Sequence, residues 1–283
     1  MVASCAMAEP RAVRVKHRWR WGAWLLSAVV LLVVSMLVAA GIRAKIMNVE
    51  VFLTYLTSEQ VLIGARNALV LGTLSLVVAS VIGLIVALMR VSGNPILAAL
   101  SATYVYFFRG TPMLIQLLFW FNALPTMFQR VHLAIPFTDI VLLDAPTTAV
   151  VTPFVAALAG LALAEGAYMA EIIRAGILAV DKGQRAAARA IGMTEAQVLR
   201  HIVIPQAGRI IIPAGGNQYI MLLKSTSLAS AIGFLELLRI TTDIYSSNFM
   251  VVELLAVAAF WYLVMTAFAT AVQTALEKTF PQR

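Results

Sequence analysis

The chain has 283 residues, of which 61% are hydrophobic and only 12% are charged. Because soluble domains carry about a quarter charged residues, this composition excludes an ordinary water-soluble domain and indicates an integral membrane protein. The formal net charge of +8 is compatible with nucleic-acid binding, but basic residues of membrane proteins collect in cytoplasmic loops, so the charge first predicts topology.

Residues 1–20 form a basic tail, and residues 21–42 form an apolar run directly after it. The run is longer than the apolar region of a signal peptide, which has about 7–15 residues. We therefore predict an additional N-terminal transmembrane helix at residues 21–42. The sequence "LVAAG" near its end is compatible with cleavage, so removal of this segment stays an alternative.

Five further apolar stretches are found, at about residues 61–89, 110–128, 147–173, 208–233 and 251–276. Each is long enough for a transmembrane helix, which needs about 20 apolar residues. The sequence thus predicts an all-α integral membrane protein with about six transmembrane helices. Five of them form a core at residues 58–280, and residues 98–108 are expected to lie along the membrane interface.

The distribution of basic residues predicts the orientation of these helices. An even number of spans places both termini on one side, and the basic tail assigns that side to the cytoplasm. The loops on that side carry most of the other basic residues: Arg90, Arg174, Lys182, Arg185, Arg189, Arg200 and Arg209. We therefore predict a multi-pass protein with both termini in the cytoplasm.

The loop at residues 182–206 is polar and basic, unlike the rest of the chain. Within it, residues 186–201 predict a short helix with an interruption at Gly192. Pro205 is expected to end this helix, because proline lacks the amide donor and clashes with the preceding turn. From the pattern alone, a helix lying under the bilayer and a rigid protruding element remain equally compatible with the sequence.

The same loop carries a recognisable spacing. Ala187 and Ala188 are followed after three residues by Gly192, and after nine more by "IVIP" ending at Pro205. This spacing resembles the cytoplasmic signature loop of permease subunits of ATP-binding-cassette (ABC) importers. Three further segments resemble sequences of the branch that takes up polar amino acids (histidine, glutamate, glutamine, arginine and opines). They are "RGTPMLIQ", "AYMAEIIRAGI" and "LLKSTSLASAIG". The family usually has glutamate where Ala186 stands, so an ion pair from that position is not expected here.

The resemblance implies that the loop contains a coupling helix that docks into a cleft of the ATPase subunit. It assigns ATPase coupling to a set of loop residues: Ala187, Ala188, Gly192, Met193, Glu195 and Pro205. It further implies two copies of the ATPase, a second permease chain that is identical or homologous, and a periplasmic or lipid-anchored amino acid binding protein. ATP and Mg²⁺ are then bound by the ATPase, so this chain is expected to hold no cofactor and not to be an enzyme. The assembly is expected to lie in the bacterial inner membrane.

Polar residues inside apolar stretches indicate the substrate path, since ionisable groups within a membrane face a protein interior or a water-filled path. Glu165 and Tyr168 share a helical face, and the carboxylate is suited to an ammonium or a basic side chain. The candidate path residues are Gln116, Glu165, Tyr168, Asn217, Met221, Lys224 and Ser227. As alternatives, Glu165 is a buried partner of an arginine such as Arg174, and the other polar groups hold helices together.

Catalytic and nucleotide-binding motifs are not found in the sequence. It has no "GxxxxGK[ST]" loop and no His, Asp or Glu cluster with metal-ligand spacing. An ion- or proton-driven secondary transporter remains the alternative function. Such transporters commonly contain two similar halves, and no convincing internal repeat is seen here.

Overall fold

The computed structural model describes residues 21–43, 47–134 and 141–279. Almost all of this part of the chain is helical. The helices are α1 (Trp21–Arg43), α2 (Val49–Leu56), α3 (Glu59–Val91), α4 (Pro95–Gly110), α5 (Met113–Leu118), α6 (Leu124–Met127), α7 (Thr147–Val150), α8 (Pro153–Ala179), α9 (Lys182–Ala190), α10 (Glu195–Val198), α11 (Ile204–Ser225), α12 (Leu237–Asn248) and α13 (Val251–Thr279). Two π-helical turns, Phe119–Ala123 and Leu199–Val203, and a 3₁₀ helix, Thr226–Ile232, connect some of them.

The chain divides into two compact units, residues 1–48 and residues 49–283. The first unit contains α1, a 23-residue helix at the position where the additional N-terminal helix is predicted. Its apolar side chains between Trp24 and Val33 are exposed, as expected of a helix whose surroundings are lipid or protein rather than water.

In the second unit, α3 packs along α8 in the most extensive helix pairing of the described residues. Glycines on both helices allow this approach. A Cβ atom on Gly83 would lie 2.6 Å from the Cβ of Met169, and one on Gly166 would lie 2.9 Å from a methyl carbon of Ile82. Small residues are typical of helix contacts in membranes, because van der Waals packing rather than the hydrophobic effect holds the helices together there.

In the described residues of this unit, buried apolar side chains form three clusters that connect several further helices to this pair. One joins α3, α5, α8, α11 and the 3₁₀ helix around Leu71, Leu117, Leu161 and Leu222. A second joins α3, α12 and α13 around Val61, Leu237 and Val257. The third lies under the loop between α8 and α11.

Within the described residues, three helices are long and apolar enough to cross a membrane: Glu59–Val91, Pro153–Ala179 and Val251–Lys278. The segments Glu195–Ile232 and Leu237–Asn248, which bend by 48° at their break, add a fourth if they act as one span. The described apolar parts of two other predicted spans, Trp24–Val33 and Met113–Met127, are shorter. Length and composition of this part of the chain thus support three spans, or four with the bent pair, and the predicted span at 110–128 contains only the short helix Met113–Met127.

Both π turns precede a proline in the same way. After Phe119–Ala123 and one further residue comes Pro125, and after Leu199–Val203 and one further residue comes Pro205. In each turn an amide bonds the carbonyl five residues back, Leu124 to Phe119 and Ile204 to Leu199. The wider turn relieves the clash that proline makes with the carbonyl four residues before it. The prediction that Pro205 ends the loop helix is therefore wrong, because the helical backbone continues from Glu195 to Ser225.

A small antiparallel hairpin lies between α6 and α7, in a segment that the sequence analysis leaves without secondary structure. Strand β1 (Arg130–Ala134) pairs with β2 (Val141–Pro146) in a register that places Arg130 opposite Pro146. An exposed ion pair between Arg130 and Asp144, at 3.0 Å, joins the strands. The residues that link them lie outside the described part of the chain.

Candidate functional site

The loop between α8 and α11 begins with α9, whose two ends are both capped. At its start, the Asp181 carboxylate accepts the backbone N–H of Gln184 at 3.1 Å. At its end, Gly192 adopts φ +87°. The amides of Gly192 and Met193 bond the carbonyls of Arg189 and Ala188, respectively, which is the hydrogen-bond pattern of a Schellman motif.

The next helix, α10, starts immediately after this turn with a capping box. The backbone N–H of Thr194 donates to the Gln197 side chain at 2.8 Å, and the amide of Gln197 donates back to the Thr194 hydroxyl. An ion pair of 2.6 Å between Arg189 and Glu195 joins α9 to α10 and lowers the pKa of the Glu195 carboxyl. Two short helices are thus held at a fixed angle.

We call residues 182–206 the coupling loop. Four of the six residues predicted to contact an ATPase are exposed on it, namely Ala187, Gly192, Glu195 and Pro205. The side chain of Ala188 is buried in the third cluster, against which the partly buried Met193 packs. These two residues therefore hold the coupling loop onto the ends of α8 and α11 instead of lying on its surface.

The turn at Gly192 presents two features that bear on partner binding. No atom lies within 4 Å of the position that a Cβ would take there, so the glycine is needed for its positive φ and leaves open space outside. Next to it, Ile191 is 80% exposed, although it is a large apolar residue in a polar loop. Sequence reasoning missed Ile191; an isoleucine in the turn beside a helix-ending glycine was the available signal.

Glu165 lies in the middle of α8 and is only 2% exposed. Gln218 of α11 hydrogen-bonds its carboxyl group. The oxygen Oε1 is buried and has no hydrogen-bond partner among the described residues. The alternative that pairs Glu165 with Arg174 is wrong, because Arg174 bonds Glu171 at 2.6 Å. The structure therefore leaves one acceptor of a buried carboxylate unused.

Tyr168, one turn after Glu165, faces a cleft between α4 and α8. The guanidinium carbon of Arg109 lies 5.0 Å from the centre of its ring, within the range of a cation–π contact. Tyr106 and Glu171 line the same cleft, whose volume is about 470 Å³. The face that Tyr168 shares with Glu165 thus leads to an open, charged cleft.

Gln116 is buried at the junction of α4 and α5. Its amide nitrogen donates to the carbonyls of Phe108 and Thr111, each at 3.0 Å, and to the Thr111 hydroxyl at 2.8 Å. The nitrogen thus connects the end of α4 to α5. The oxygen Oε1, like Oε1 of Glu165, has no hydrogen-bond partner among the described residues.

The remaining predicted path residues lie on α11 and the 3₁₀ helix. Asn217, Met221 and Lys224 are exposed along one face of α11, as their spacing predicts. Ser227 instead donates its hydroxyl to the carbonyl of Lys224 at 2.8 Å. Glu165 of α8 contacts α11 through Gln218. Gln218 directly follows the predicted path residue Asn217.

A second buried glutamate, Glu236, was not predicted. It is fully buried at the start of α12 and accepts the backbone amides of Leu238 and Arg239 at 2.9 and 2.8 Å. The hydroxyl of Tyr262 in α13 donates to the same carboxylate at 2.6 Å. The sequence signal was weak, because Glu236 lies in the mostly apolar word "GFLELL" and its tyrosine partner is 26 residues away.

Comparison with known proteins identifies the family. Residues 79–280 match the model of the binding-protein-dependent transport system inner membrane component. The chain belongs to this family. The arginine transport system permease protein ArgU of Corynebacterium glutamicum is 37% identical over 96% of this chain and 84% of its own length. The glutamine transport system permease protein GlnP of Escherichia coli is 32% identical over 76% of this chain and 90% of its own length.

Solved structures agree with this membership. The crystal structure of an amino acid ABC transporter with histidines matches with a TM-score of 0.66 and 35% identity, over 78% of this chain and 94% of that one. The MetNI methionine ABC transporter matches with a TM-score of 0.63 at 18% identity, over 80% of this chain and all of that one, which shows the shared fold. The predicted fold class and the prediction of an ABC importer permease of the amino acid branch are confirmed. The secondary-transporter alternative receives no support.

Proposed function

We propose that this chain forms the membrane path of an importer for a polar amino acid and that the coupling loop receives the ATPase. The observation that carries the proposal is the double-capped pair α9 and α10, which fixes exposed Ala187, Ile191 and Gly192 on a rigid element. A rigid element is what the transmission of movement between two proteins requires. Family membership supports the same reading, since the family model describes the inner membrane component of a binding-protein-dependent transport system.

In this proposal ATP and Mg²⁺ are bound by two copies of an ABC ATPase, so this chain is not itself an enzyme. A second permease chain, identical or homologous, completes the path, and a periplasmic or lipid-anchored binding protein delivers the substrate. Both termini and the coupling loop face the cytoplasm of a bacterium, in agreement with the basic residues on those loops. ATP binding and the loaded binding protein both favour the outward-open state.

We propose that Glu165 binds the substrate through its unused oxygen. A buried carboxylate with one unsatisfied oxygen is suited to an ammonium or guanidinium donor, because a charge-assisted hydrogen bond would then replace the missing one. The relative named for arginine transport carries a substrate of this chemistry. Gln218 holds the carboxyl group from α11, and Gln116, Tyr168, Asn217, Met221, Lys224 and Ser227 remain the other proposed path residues.

The direct test is uptake of a panel of labelled amino acids by cells with and without the gene. ATP is depleted in one arm, and the proton gradient is collapsed in another. We expect deletion to remove uptake of one amino acid, with a dependence on ATP and not on the gradient. Uptake that follows the gradient would contradict the proposal.

The coupling assignment is tested by Gly192→Asp. A non-glycine residue is strained at φ +87° by about 1–2 kcal/mol, and the new charge enters the exposed surface proposed for the ATPase. We expect the chain to stay in the membrane while co-purification of the ATPase and ATP-driven uptake are lost. The control is Gly208→Ala, where a Cβ also meets no atom within 4 Å but φ is not positive. Normal uptake with Gly192→Asp would exclude this surface as the docking site.

A further inference from the structure

A cleft of about 460 Å³ lies where α3, α8 and the coupling loop meet. Four arginines from three elements line it: Arg90 at the end of α3, Arg174 near the end of α8, and Arg185 and Arg189 in α9. Glu195 is the acidic residue on the same lining. Such a concentration of guanidinium groups in one concave space is suited to an anion.

The four arginines differ in what already neutralises them. Arg174 is paired with Glu171, and Arg189 is paired with Glu195. Arg90 donates to the carbonyl of Ala98 at 2.7 Å, which is an uncharged partner. Arg185 donates to another carbonyl, that of Ile177. Two of the positive charges are thus bound to backbone oxygens rather than to carboxylates.

Arg185 has a further unused donor. Its Nε atom is buried and has no hydrogen-bond partner among the described residues. A buried donor without a partner is costly, and a guanidinium group presents its donors in a planar fork that fits two oxygens of one phosphate. The position of Arg185 on the cleft therefore indicates an oxygen-bearing anion as the missing partner.

The rest of the lining is apolar. Val91, Leu178 and Leu199 contribute to it, and each of them is an exposed large hydrophobic residue. A small hydrophilic anion would satisfy the arginines but would leave these side chains uncovered. A phospholipid covers both parts, with its phosphate on the arginines and an acyl chain on the apolar wall.

We propose that this cleft binds the phosphate group of an anionic phospholipid from the cytoplasmic leaflet. Basic pockets between helices on the cytoplasmic side of a membrane favour such headgroups. Of the exposed residues predicted to contact the ATPase, Ala187, Gly192 and Pro205 lie outside the cleft lining, and Glu195 lies on it. The inference goes beyond the proposed function and uses its cytoplasmic placement of the coupling loop.

The test measures binding of labelled phosphatidylglycerol and labelled phosphatidylcholine to the full-length chain, with its ATPase, in phosphatidylcholine nanodiscs. We expect preference for phosphatidylglycerol, and we expect Arg185→Gln and Arg90→Gln each to weaken it about fivefold, as removal of one basic residue near a membrane surface predicts. The matched control is Arg200→Gln, since Arg200 is exposed on the same loop and is not on the cleft lining. Because Arg90 lies on a different helix from Arg185, a folding defect in one variant leaves the other informative.

Four results would overturn the proposal. Equal affinity for the two lipids, or equal weakening by Arg200→Gln, would show that the cleft does not select the headgroup. Displacement of the labelled lipid by millimolar inorganic phosphate would indicate a site for a free anion. A preference for phosphatidylglycerol that is seen only when the ATPase is left out would indicate a protein-binding surface. ATP-driven uptake by the unaltered importer, measured in the same lipids, shows whether the proposed function stands when the lipid proposal fails.

Discussion

Glu165 and Glu236, two of the glutamates that are buried in the described residues, differ in how their oxygens are used. The carboxylate of Glu236 accepts two backbone amides and one tyrosine hydroxyl, so it holds the start of α12 against α13. Glu165 is held by Gln218, and one of its oxygens has no described partner. Burial of a charge is costly in both places, but only at Glu236 do bonds within the chain compensate for it fully. A buried acid is therefore a better candidate for substrate binding when the fold leaves one of its oxygens without a hydrogen-bond partner.

The same substitution at both positions would separate a structural acid from a binding acid, and the largest effect is expected at Glu236. In Glu236→Gln, an amide nitrogen replaces an oxygen that faces N–H or O–H donors. We expect a loss of about 3 kcal/mol in the free energy of unfolding, because at least one buried donor loses its acceptor. Thermal unfolding of the purified chain in detergent measures this loss. An unchanged melting temperature would show that Glu236 is not structural.

Glu165→Gln is expected to spare the fold and to weaken transport. The amide keeps the shape of the side chain and removes a buried charge, so the melting temperature should stay within error of the unaltered chain. The KM for uptake should rise about tenfold, which corresponds to loss of one charge-assisted hydrogen bond to the substrate. Uptake measured over a range of substrate concentrations, beside the amount of assembled importer, gives both values. Loss of assembly would instead make Glu165 a structural residue.

A smaller effect is expected when only one bond of the Glu236 network is removed. Tyr262→Phe deletes the hydroxyl that donates to the carboxylate at 2.6 Å and leaves both backbone amides in place. We expect about 1 kcal/mol less stability, with an unchanged KM for uptake. Thermal unfolding and uptake in the same preparations test both expectations. A change in KM without a change in melting temperature would assign this network to the substrate path and remove the contrast between the two acids.

Features that depend on near neighbours in the chain could be predicted from the sequence. The interruption at Gly192 follows from its freedom to adopt a positive φ, and Thr194 with Gln197 has the spacing of a capping box. Glu165 was found because a charge inside an apolar run is conspicuous. In each case the signal lies within a few residues of the feature itself.

Features that depend on distant contacts could not be predicted in this way. The partner of Glu165 is on α11 and the tyrosine partner of Glu236 is on α13, so both require the packing of helices to be known. Burial of Ala188 likewise depends on Val198 and Val203. The helical continuation through Pro205 was missed for a different reason, since proline is compatible both with the end of one helix and with the first turn of the next.

The π turn Leu199–Val203 joins α10 to α11 with one residue more than an α-helical turn would use. Removing that residue would restore the α-helical register. It would rotate α9 and α10 by about 100° around the axis of α11. The exposed face of α9 and α10 would then point in another direction, and the contacts that bury Ala188 in the third cluster would have to change. A single-residue insertion thus sets the angle at which the coupling loop meets its partner. The length of the coupling loop is therefore as informative about coupling as its composition.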